Sequence, residues 1–334
     1  MEKADNRDSS PSSSGAPGVS VIMTVLNEER HIHSAVRAVL DQDYPGPLEL
    51  IVALGPSSDS TDEIVAEMAA EDGRLSTVAN PNGATPCGLN LAIKEAAHDF
   101  IIRVDGHSVL PQGYVGTAVE VLEETGADNV GGIMAAEGTT PFEKAVACAT
   151  NSWIGVGGAR FHTGGTPGPA DTVYLGSFRR SALERVGGFD ETLHRAQDWE
   201  LNYRIRRAGG TVWFTPRMWV VYRPRPQIRK LVKQYFRTGQ WRRAVIRQHT
   251  ETLNVRYLAP PLAVVGIVGG LAAGAAGVTA GFLLPAGYAA AIIAGSVVVG
   301  RKESPSTLVR LPLVCATMHT AWGIGFLFSP RDLR

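Results

Sequence analysis

Short apolar runs alternate with stretches of helical periodicity over the first two hundred residues. Apolar runs of about four to eight residues between turn residues are typical of buried strands, and apolar spacings of three and four are typical of helices that cover a sheet. The pattern predicts an α/β domain with a doubly wound, mostly parallel sheet. The predicted strands are 19–26, 48–54, 75–78, 100–105 and 129–134, with helices that begin near residues 27, 62, 87 and 111.

The stretch 155–176 interrupts this pattern, because it is rich in Gly and Pro and predicts little regular structure. An irregular segment of this length inside a compact domain is usually functional. A lid over a ligand site and a plain surface loop are both consistent with its composition.

After residue 225 the hydrophobic pattern is the one expected at a membrane. A basic amphipathic helix is predicted from Ile228, Leu231, Val232, Tyr235 and Phe236, which share one helical face. Residues 258–300 are almost wholly apolar and break near 277–281, which leaves room for two membrane helices of roughly 20 residues, and 311–328 fits a third. The predicted organisation is a disordered tail over 1–18, a domain over 19–225, a membrane-interface segment over 226–257 and a transmembrane region of about three helices over 258–330.

The formal net charge of zero conceals two oppositely charged halves. Residues 1–200 carry 13 Lys+Arg and 29 Asp+Glu, whereas residues 201–334 carry 19 and 3. The basic half could bind nucleic acid or an anionic membrane surface, and the apolar segments after it favour the membrane and exclude nucleic acid as the partner. The N-terminal residues do not resemble a signal peptide, and the Lys and Arg residues that flank the predicted spans favour a multi-pass cell-membrane protein with the domain over 19–225 on the cytoplasmic side. Three scattered cysteines predict neither a disulfide framework nor a zinc site.

Asp105 and His107 follow the fourth predicted strand. Ligands of open α/β sheets bind beyond the carboxyl ends of the strands, and alternate residues of an extended chain share a face. A carboxylate and an imidazole there could hold Mg²⁺ or Mn²⁺ if a diphosphate supplied further ligands. The alternative is a strand that ends in a capped turn.

Asp198 lies at the start of an amphipathic helix through Leu201 and Ile205. The positive end of the helix dipole would keep its carboxylate ionised and able to accept a proton. A simple N-cap is the alternative, since Asp is common at that position.

Taken together, these motifs resemble the nucleotide-sugar-binding half of family-2 glycosyltransferases, which have the GT-A fold. The similarity runs in order through Val19–Thr24 with Asn27 and Glu28, Asp59 with its flanking Ser57 and Thr61, Asn82 and Gly83 with Asn90, and Val104–His107. The resemblance implies a donor, predicted to be UDP-linked, and a metal at Asp105 and His107 that bridges its diphosphate. It assigns nucleotide-sugar binding to Thr24, Asn27, Glu28, Asp59, Asn90 and Asp105.

Two further motifs extend the resemblance. Gln197–Arg204 is similar to the family's Glu-Asp-x-Glu-Leu-x-x-Arg, which implies that Asp198 is the general base. Gln234–Arg237 is similar to the Gln-x-x-Arg-Trp of processive members, although Thr238 replaces the Trp. The resemblance places Trp199, Glu200, Arg204, Gln234 and Arg237 on the acceptor side.

Several positions depart from the family pattern, among them Leu54, Gly55, Leu89, His107 and Gln197. A similar Asp-x-His occurs among enzymes that resemble succinoglycan-type exopolysaccharide glucosyltransferases. The sequence thus predicts a membrane-anchored inverting glycosyltransferase that acts on a lipid-linked or cell-envelope glycan. A polyprenyl-phosphate sugar synthase, and a membrane scaffold that retains the fold without turnover, are the alternatives.

Overall fold

A mixed sheet of eight strands organises residues 15–333, the part of the chain that the computed structural model describes. Its strands are β1 (Val19–Val25), β2 (Leu48–Leu54), β3 (Leu75–Ala79), β4 (Phe100–Asp105), β5 (Asn129–Ala136), β6 (Gly168–Pro169), β7 (Tyr174–Arg179) and β8 (Val212–Tyr222). They lie in the order β3-β2-β1-β4-β7-β5-β8-β6. Strands β1 to β4 are mutually parallel, β7 is antiparallel to both β4 and β5, and β8 is parallel to β5. The predicted α/β class is confirmed, and the sheet is mixed, because β6 and β7 pair in the antiparallel sense.

Helices cover both faces of this sheet. They are α1 (Ile32–Leu40), α2 (Thr61–Glu71), α3 (Thr85–Glu95), α4 (Tyr114–Thr125), α5 (Pro141–Thr150), α6 (Trp153–Val156), α7 (Arg160–Thr163), α8 (Arg180–Val186) and α9 (Gln197–Arg207). Alternate strand residues point to opposite faces. Val21 therefore packs in one core with α1, α2 and α4, whereas Ile22 packs in the other with α3, α8 and α9.

The carboxyl ends of the parallel strands meet at one edge of the sheet. Thr24 near the end of β1 is in register with Asp105 at the end of β4. Because β7 is antiparallel to both β4 and β5, strands β5 and β8 end at that same edge. The loops after β1, β2, β4, β5 and β8 can therefore contribute to one site.

The Gly-rich stretch 155–176 contains more regular structure than predicted. Helix α7, strand β6 and the start of β7 all lie within it. The strand β7 was not predicted, and it inserts between β4 and β5. Of the predicted disordered tail over 1–18, residues 1–14 lie outside the described part of the chain. Within residues 15–18, the backbone carbonyl of Pro17 accepts a hydrogen bond from the hydroxyl of Tyr44 at 2.5 Å.

The C-terminal region is helical. It consists of α10 (Ile228–Gln248), α11 (Ala259–Ala275), α12 (Leu283–Val299), α13 (Pro305–Leu308) and α14 (Leu311–Leu327). The predicted amphipathic helix corresponds to α10, in which Leu231 is buried and Ile228 and Val232 are exposed.

Within the described range, two helical segments are long and apolar enough to cross a membrane, namely Val255–Ala275 and Thr279–Val299. Only 22% and 17% of their apolar windows are buried inside the protein. The third predicted span is α14, which is shorter and packs closely against α10. A Cβ added to Gly239 of α10 would lie 2.0 Å from the carbonyl oxygen of Trp322 on α14. Two of the three predicted spans therefore remain as candidates, and α14 is not one of them.

The helices α12 and α14 also pack against α6 and the end of α5. Ile154 of α6 fills a notch at Gly295 of α12, where a Cβ would lie 2.1 Å from Ile154 Cδ1. Nε2 of His319 on α14 lies 2.6 Å from the backbone carbonyl oxygen of Ile154. The segment after α5 is thus attached to the C-terminal helices.

Candidate active site

Side-chain hydrogen bonds join the loops that follow β1 and β2. Asn27 Oδ1 accepts from the backbone N–H of Ser58 at 2.8 Å, and the N–H of Glu28 donates to Thr61 Oγ1 at 2.8 Å. Asp59 Oδ1 accepts from the N–H and the hydroxyl of Thr61 at 3.1 and 2.5 Å. The Thr61 hydroxyl is the main cause of the lowered pKa of Asp59. The two loops are therefore preformed around an ionised Asp59.

Thr24 and Asn90, which are also predicted to bind the nucleotide-sugar, contact neighbouring parts of the protein. Thr24 faces α3, where a Cβ at Gly88 would lie 2.8 Å from Thr24 Cγ2. Asn90 on α3 donates to the carbonyl of Phe189 at 2.9 Å and accepts from its N–H at 2.8 Å. Asn90 thus holds the turn that leads to α9, and its role in nucleotide binding stays a prediction.

Arg103 connects the end of β4 with the start of α9. Its guanidinium donates to Asp105 Oδ1 at 2.8 Å through Nη2 and to Asp198 Oδ1 through Nη1. The Arg103 side chain is 6% exposed, whereas those of Asp105 and Asp198 are 24% and 34% exposed. A buried cation thus holds two partly accessible carboxylates on one side of the sheet edge.

Asp198 does not cap α9. The capping position is Ala196, no side chain forms a capping hydrogen bond, and Asp198 lies in the first turn of the helix. Its carboxylate contacts Arg103 instead, so the N-cap alternative is wrong. The position near the positive end of the helix dipole agrees with the prediction.

Burial raises the pKa of Asp198, and the negative charge of Asp105 adds to this rise, while the Arg103 guanidinium opposes it. For Arg103, burial alone would lower the pKa, but the charges of Asp198 and Asp105 outweigh burial and raise it. Arg103 therefore remains a cation. A carboxylate with a raised pKa next to a fixed cation is suited to accept a proton at neutral pH.

Backbone strain is concentrated around this edge. In the described part of the chain, the non-Gly residues with positive φ are Asn27 (57°), Leu175 (43°) and Ala196 (61°). Asn27 lies in the loop after β1, Leu175 lies in β7 beside β4, and Ala196 precedes α9. Such conformations cost on the order of 1–3 kcal/mol and are concentrated at functional sites.

Glu28 and His107 form a second polar pair, in which Glu28 Oε1 lies 3.1 Å from His107 Nδ1. This contact raises the pKa of His107, although burial opposes the rise. Metal-binding His residues commonly donate their other ring N–H to a carboxylate, and the pair has that arrangement. The same contact would also stabilise a protonated imidazole, which could contact a diphosphate directly.

No group of three His, Cys, Asp or Glu side chains between residues 15 and 333 is arranged to hold a metal. Asp105 and His107 could supply two ligands at most, so a divalent cation would depend on diphosphate oxygens for the rest of its shell. The donor set fits Mg²⁺ or Mn²⁺ in that shared arrangement, and the metal assignment stays a prediction.

Three arginines from different segments bring positive charge to the other side of the site. Arg195 precedes α9, Arg225 follows β8, and Arg237 lies on α10. Burial lowers the pKa of Arg195, and the charges of Arg237 and Arg225 lower it further. The charge of Arg225 also lowers the pKa of His107, against the larger rise caused by Glu28. Among the ion pairs of residues 15–333, none involves these three arginines, so the cluster is electrostatically suited to an anion.

The predicted acceptor residues on α9 have internal partners. Glu200 has a side chain only 1% exposed, accepts from Arg204 Nε at 2.6 Å and lies 3.1 Å from His249 Nε2. Trp199 packs under the guanidinium of Arg242 at 4.3 Å from the ring centroid. These contacts hold α9 against the following segments, and acceptor contact by Trp199, Glu200 and Arg204 stays a prediction.

Gln234 and Arg237, the other predicted acceptor residues, lie on α10. Gln234 Nε2 donates to the hydroxyl of Tyr222 at 3.0 Å, which links α10 to the end of β8. Arg237 belongs to the arginine cluster. Acceptor contact by Gln234 and Arg237 stays a prediction.

Arg103 is the principal site residue that the sequence analysis missed. Its signal is a charged residue inside the apolar run Phe100–Asp105, two positions before Asp105 and so on the same face of the strand. Buried charges are rare unless they are paired, which makes such a residue informative.

The comparisons with known proteins agree with this geometry. Residues 20–187 match the family described as "Glycosyl transferase family 2". The chain is also 32% identical over 319 residues to the "Succinoglycan biosynthesis protein ExoA" of Rhizobium meliloti, covering 94% of this chain and 95% of that protein. This chain belongs to glycosyltransferase family 2. It is a glycosyltransferase, so the predicted resemblance is confirmed and the scaffold without turnover is not supported.

Two more comparisons bear on this family member. It is 24% identical over 251 residues, covering 72% of this chain and 77% of the relative, to the "Dolichyl N-acetyl-alpha-D-glucosaminyl phosphate 3-beta-D-2,3-diacetamido-2,3-dideoxy-beta-D-glucuronosyltransferase" of Methanococcus voltae. The solved mannosyltransferase PcManGT of Pyrobaculum calidifontis, in complex with GDP-Man and Mn²⁺, matches with a TM-score of 0.60 at 18% identity. That match covers 93% of this chain and 87% of the other, and it shows the fold alone.

Proposed function

We propose that this glycosyltransferase transfers a sugar, with inversion, from a nucleotide-sugar donor to an acceptor hydroxyl held at a membrane. The observation that carries the proposal is the Asp105–Arg103–Asp198 network. It fixes one carboxylate on the predicted donor side and another at the start of α9. One base and one departing diphosphate are what a single inverting displacement requires.

In the proposed step, the acceptor oxygen attacks the anomeric carbon while the bond from that carbon to the diphosphate oxygen breaks. The proton of the acceptor hydroxyl passes to Asp198, and the diphosphate leaves with the bonding electrons. Oδ1 of Asp198 is engaged by Arg103, so Oδ2 is the oxygen that we assign to the acceptor proton. The partial exposure of this side chain allows the acceptor to reach it.

The donor is assigned to the edge formed by the loops of Asn27, Asp59 and Asp105, and we take uridine as its base from the family resemblance. A divalent cation at Asp105 and His107 would supply charge neutralisation of the departing diphosphate. Glu28 would orient His107 in that arrangement.

The membrane assignment rests on the two apolar segments, whose surfaces are largely exposed in the protein. Leu262, Val268, Leu283 and Val298 are each more than half exposed, and such a continuous apolar surface favours lipid contact. We assign the catalytic domain to the cytoplasmic side because Arg301, Lys302 and Arg310 follow α12. The Methanococcus voltae relative is named for a dolichyl-phosphate-linked acceptor, which supports a lipid-linked glycan here.

A polyprenyl-phosphate sugar synthase is the second candidate, and the arginine cluster Arg195, Arg225 and Arg237 favours it. An acceptor phosphate would be attracted by these cations and is already ionised, so it would need no base. The two candidates therefore differ in their need for Asp198.

The test is Asp198→Asn, which keeps the shape of the side chain and removes its basicity. We expect nucleoside diphosphate release with a membrane lipid extract to fall by about 10²–10⁴-fold while donor affinity is retained. Asp171→Asn is the matched control, because Asp171 is an exposed carboxylate that pairs only at 3.7 Å with Arg206 and Arg256. Wild-type release by Asp198→Asn would exclude the base and favour the synthase.

A further inference from the structure

A cavity of about 990 Å³ lies where the catalytic domain meets the end of α12. The end of β5, the residue after β8, helices α5 and α6, the end of α12 and the residues that follow α12 line it. The residues that matter chemically are Lys144, Trp153, Arg223, Val298, Arg301 and Lys302. Ala136 at the end of β5 and Arg223 after β8 place the cavity at the same sheet edge as Asp105.

The polar part of this cavity carries excess positive charge. Four of its lining residues are cations, and the carboxylates are Glu137 and Glu303. Arg223 pairs with Glu137 at 3.5 Å. The remaining three cations, Lys144, Arg301 and Lys302, take part in no ion pair among residues 15–333, so they outnumber the one remaining carboxylate, Glu303. An anionic group would complete this charge distribution.

The other part of the cavity is apolar and continues onto α12. The candidate span ends at Val299, and Arg301 and Lys302 follow within three residues. Val298 and Trp153 line the cavity and are 59% and 61% exposed. Cations at the end of an apolar helix match a ligand that has a charged head and an apolar tail. A soluble phosphate would make no use of the apolar part.

We propose that this cavity binds the phosphate or diphosphate headgroup of the lipid-linked acceptor, with the lipid chain along α12. The inference rests on the proposed function and deepens it by locating the acceptor. Arg223 at the cavity and Arg225 beside the catalytic edge are separated only by Pro224. A headgroup held at Lys144, Arg301 and Lys302, beside Arg223, would therefore direct its sugar toward Asp198.

The test uses farnesyl diphosphate as a short lipid diphosphate, with farnesol and inorganic pyrophosphate as the apolar and soluble counterparts. Binding to the full chain in detergent is measured by isothermal titration calorimetry. We expect farnesyl diphosphate to bind at least tenfold more tightly than either counterpart. In the double variant Arg301→Gln/Lys302→Gln, binding should weaken by about thirtyfold, since each cation near an anionic headgroup contributes roughly a fivefold factor.

Arg310→Gln is the matched control, because Arg310 lies in the same connection between α12 and α14 but does not line the cavity. It should leave farnesyl diphosphate binding unchanged. Equal affinity for pyrophosphate would indicate a soluble phosphate site, equal affinity for farnesol would indicate an apolar groove, and unchanged binding by the double variant would place the headgroup elsewhere. Each of these results overturns the proposal.

Titration of the same variants with UDP separates this inference from the proposed function. UDP binding should be equal in the wild type and the double variant. The proposed donor loops follow β1, β2 and β4, whereas the cavity lies at the ends of β5 and β8, on the other side of β7 in the sheet. If the wild type turns over a nucleotide sugar and the cavity variants bind farnesyl diphosphate normally, only the acceptor location fails. If no nucleotide sugar is turned over by the wild type, the proposed function itself fails.

Discussion

The two sides of the catalytic edge satisfy their charges in different ways. On the proposed donor side, Asn27, Asp59 and Glu28 are engaged by hydrogen bonds with neighbouring loops or with His107. On the side formed by α9, α10 and the end of β8, Arg195, Arg225 and Arg237 form no ion pair in the described range. The difference indicates that the proposed donor side is preformed, whereas the three arginines have charge available for an anionic ligand.

Arg103 belongs to both sides, and its removal should have the largest effect. Arg103→Met would leave Asp105 and Asp198 without their shared cation. We expect a loss of about 3–5 kcal/mol in the free energy of unfolding and a fall in turnover of about 10²-fold or more. Denaturant titration and nucleoside diphosphate release measure the two effects.

Arg103→Lys is the control for charge, because it retains a buried cation but cannot bridge two carboxylates with a planar fork. It should recover part of the stability and less of the turnover. Wild-type stability in Arg103→Met would show that the two sides are not linked through this residue.

Glu28→Gln tests the donor side alone. Because Glu28 orients His107, this change should weaken Mn²⁺ affinity in the presence of UDP by about 10–100-fold, as is usual for residues that support a metal ligand. Electron paramagnetic resonance titration of Mn²⁺ is the measurement. Glu29→Gln is the matched control, since the Glu29 side chain does not contact His107, and equal Mn²⁺ affinities would remove Glu28 and His107 from the metal site.

Gly239→Val tests the other side alone, through the packing of α10 against α14. A Cβ there meets the backbone of α14 at 2.0 Å, so the helices α10 and α14 must separate. Overpacking of this kind costs about 1–3 kcal/mol. The thermal midpoint in detergent should fall while UDP affinity is retained.

Gly266→Val on α11 is the comparison for Gly239→Val, because a Cβ there meets nothing within 4 Å. It should leave the midpoint nearly unchanged. A parallel loss of UDP binding in Gly239→Val would mean that the two sides do not behave independently.

Glu143→Gln should have the smallest effect. Glu143 and Thr140 form a capping box at the start of α5, the helix that packs against α14. The hydroxyl of Thr139, followed by the N–H of Thr140, lowers the pKa of Glu143 from 4.5 to about 2. Gln can still accept the capping hydrogen bonds, so the loss of the negative charge near the start of the helix should cost about 0.3–1 kcal/mol at neutral pH.

The pH dependence follows from the sign of this shift. A carboxyl whose pKa is lowered on folding stabilises the protein above its unfolded pKa, and the contribution disappears as the pH falls from about 4.5 to about 2. Unfolding measured across that range should show the wild type and Glu143→Gln converging at the acid end. Glu67→Gln, at an exposed position on α2 that takes part in no capping box, should match the stability of the wild type at neutral pH.

The first half of the sheet could be predicted because its signals are local. The strands β1 to β4 are short apolar runs bounded by turns, and the motifs at their ends follow directly in sequence. Strand β7 could not be predicted in this way, since it lies in a Gly-rich stretch and is stabilised by pairing with β4 and β5, which precede it by many residues.

The candidate site shows the same division. Asp105 and Asp198 were predicted from their motifs, but the bridge that unites them was not, because Arg103 and Asp198 are 95 positions apart in sequence. Asn90 shows the converse, since its motif predicts nucleotide contact and its side chain forms hydrogen bonds with Phe189 and Glu191. Sequence patterns identified the chemical groups, and tertiary contacts determined their partners.

The attachment of Ile154 to Gly295 has a kinetic consequence if α11 and α12 lie in a bilayer. The catalytic edge would then be held at a fixed height above the lipid, and the enzyme would find its acceptor by a search in two dimensions. Turnover would depend on the mole fraction of acceptor in the surface, and added inert lipid would slow the reaction at constant bulk concentration. A soluble acceptor would show no such surface dilution.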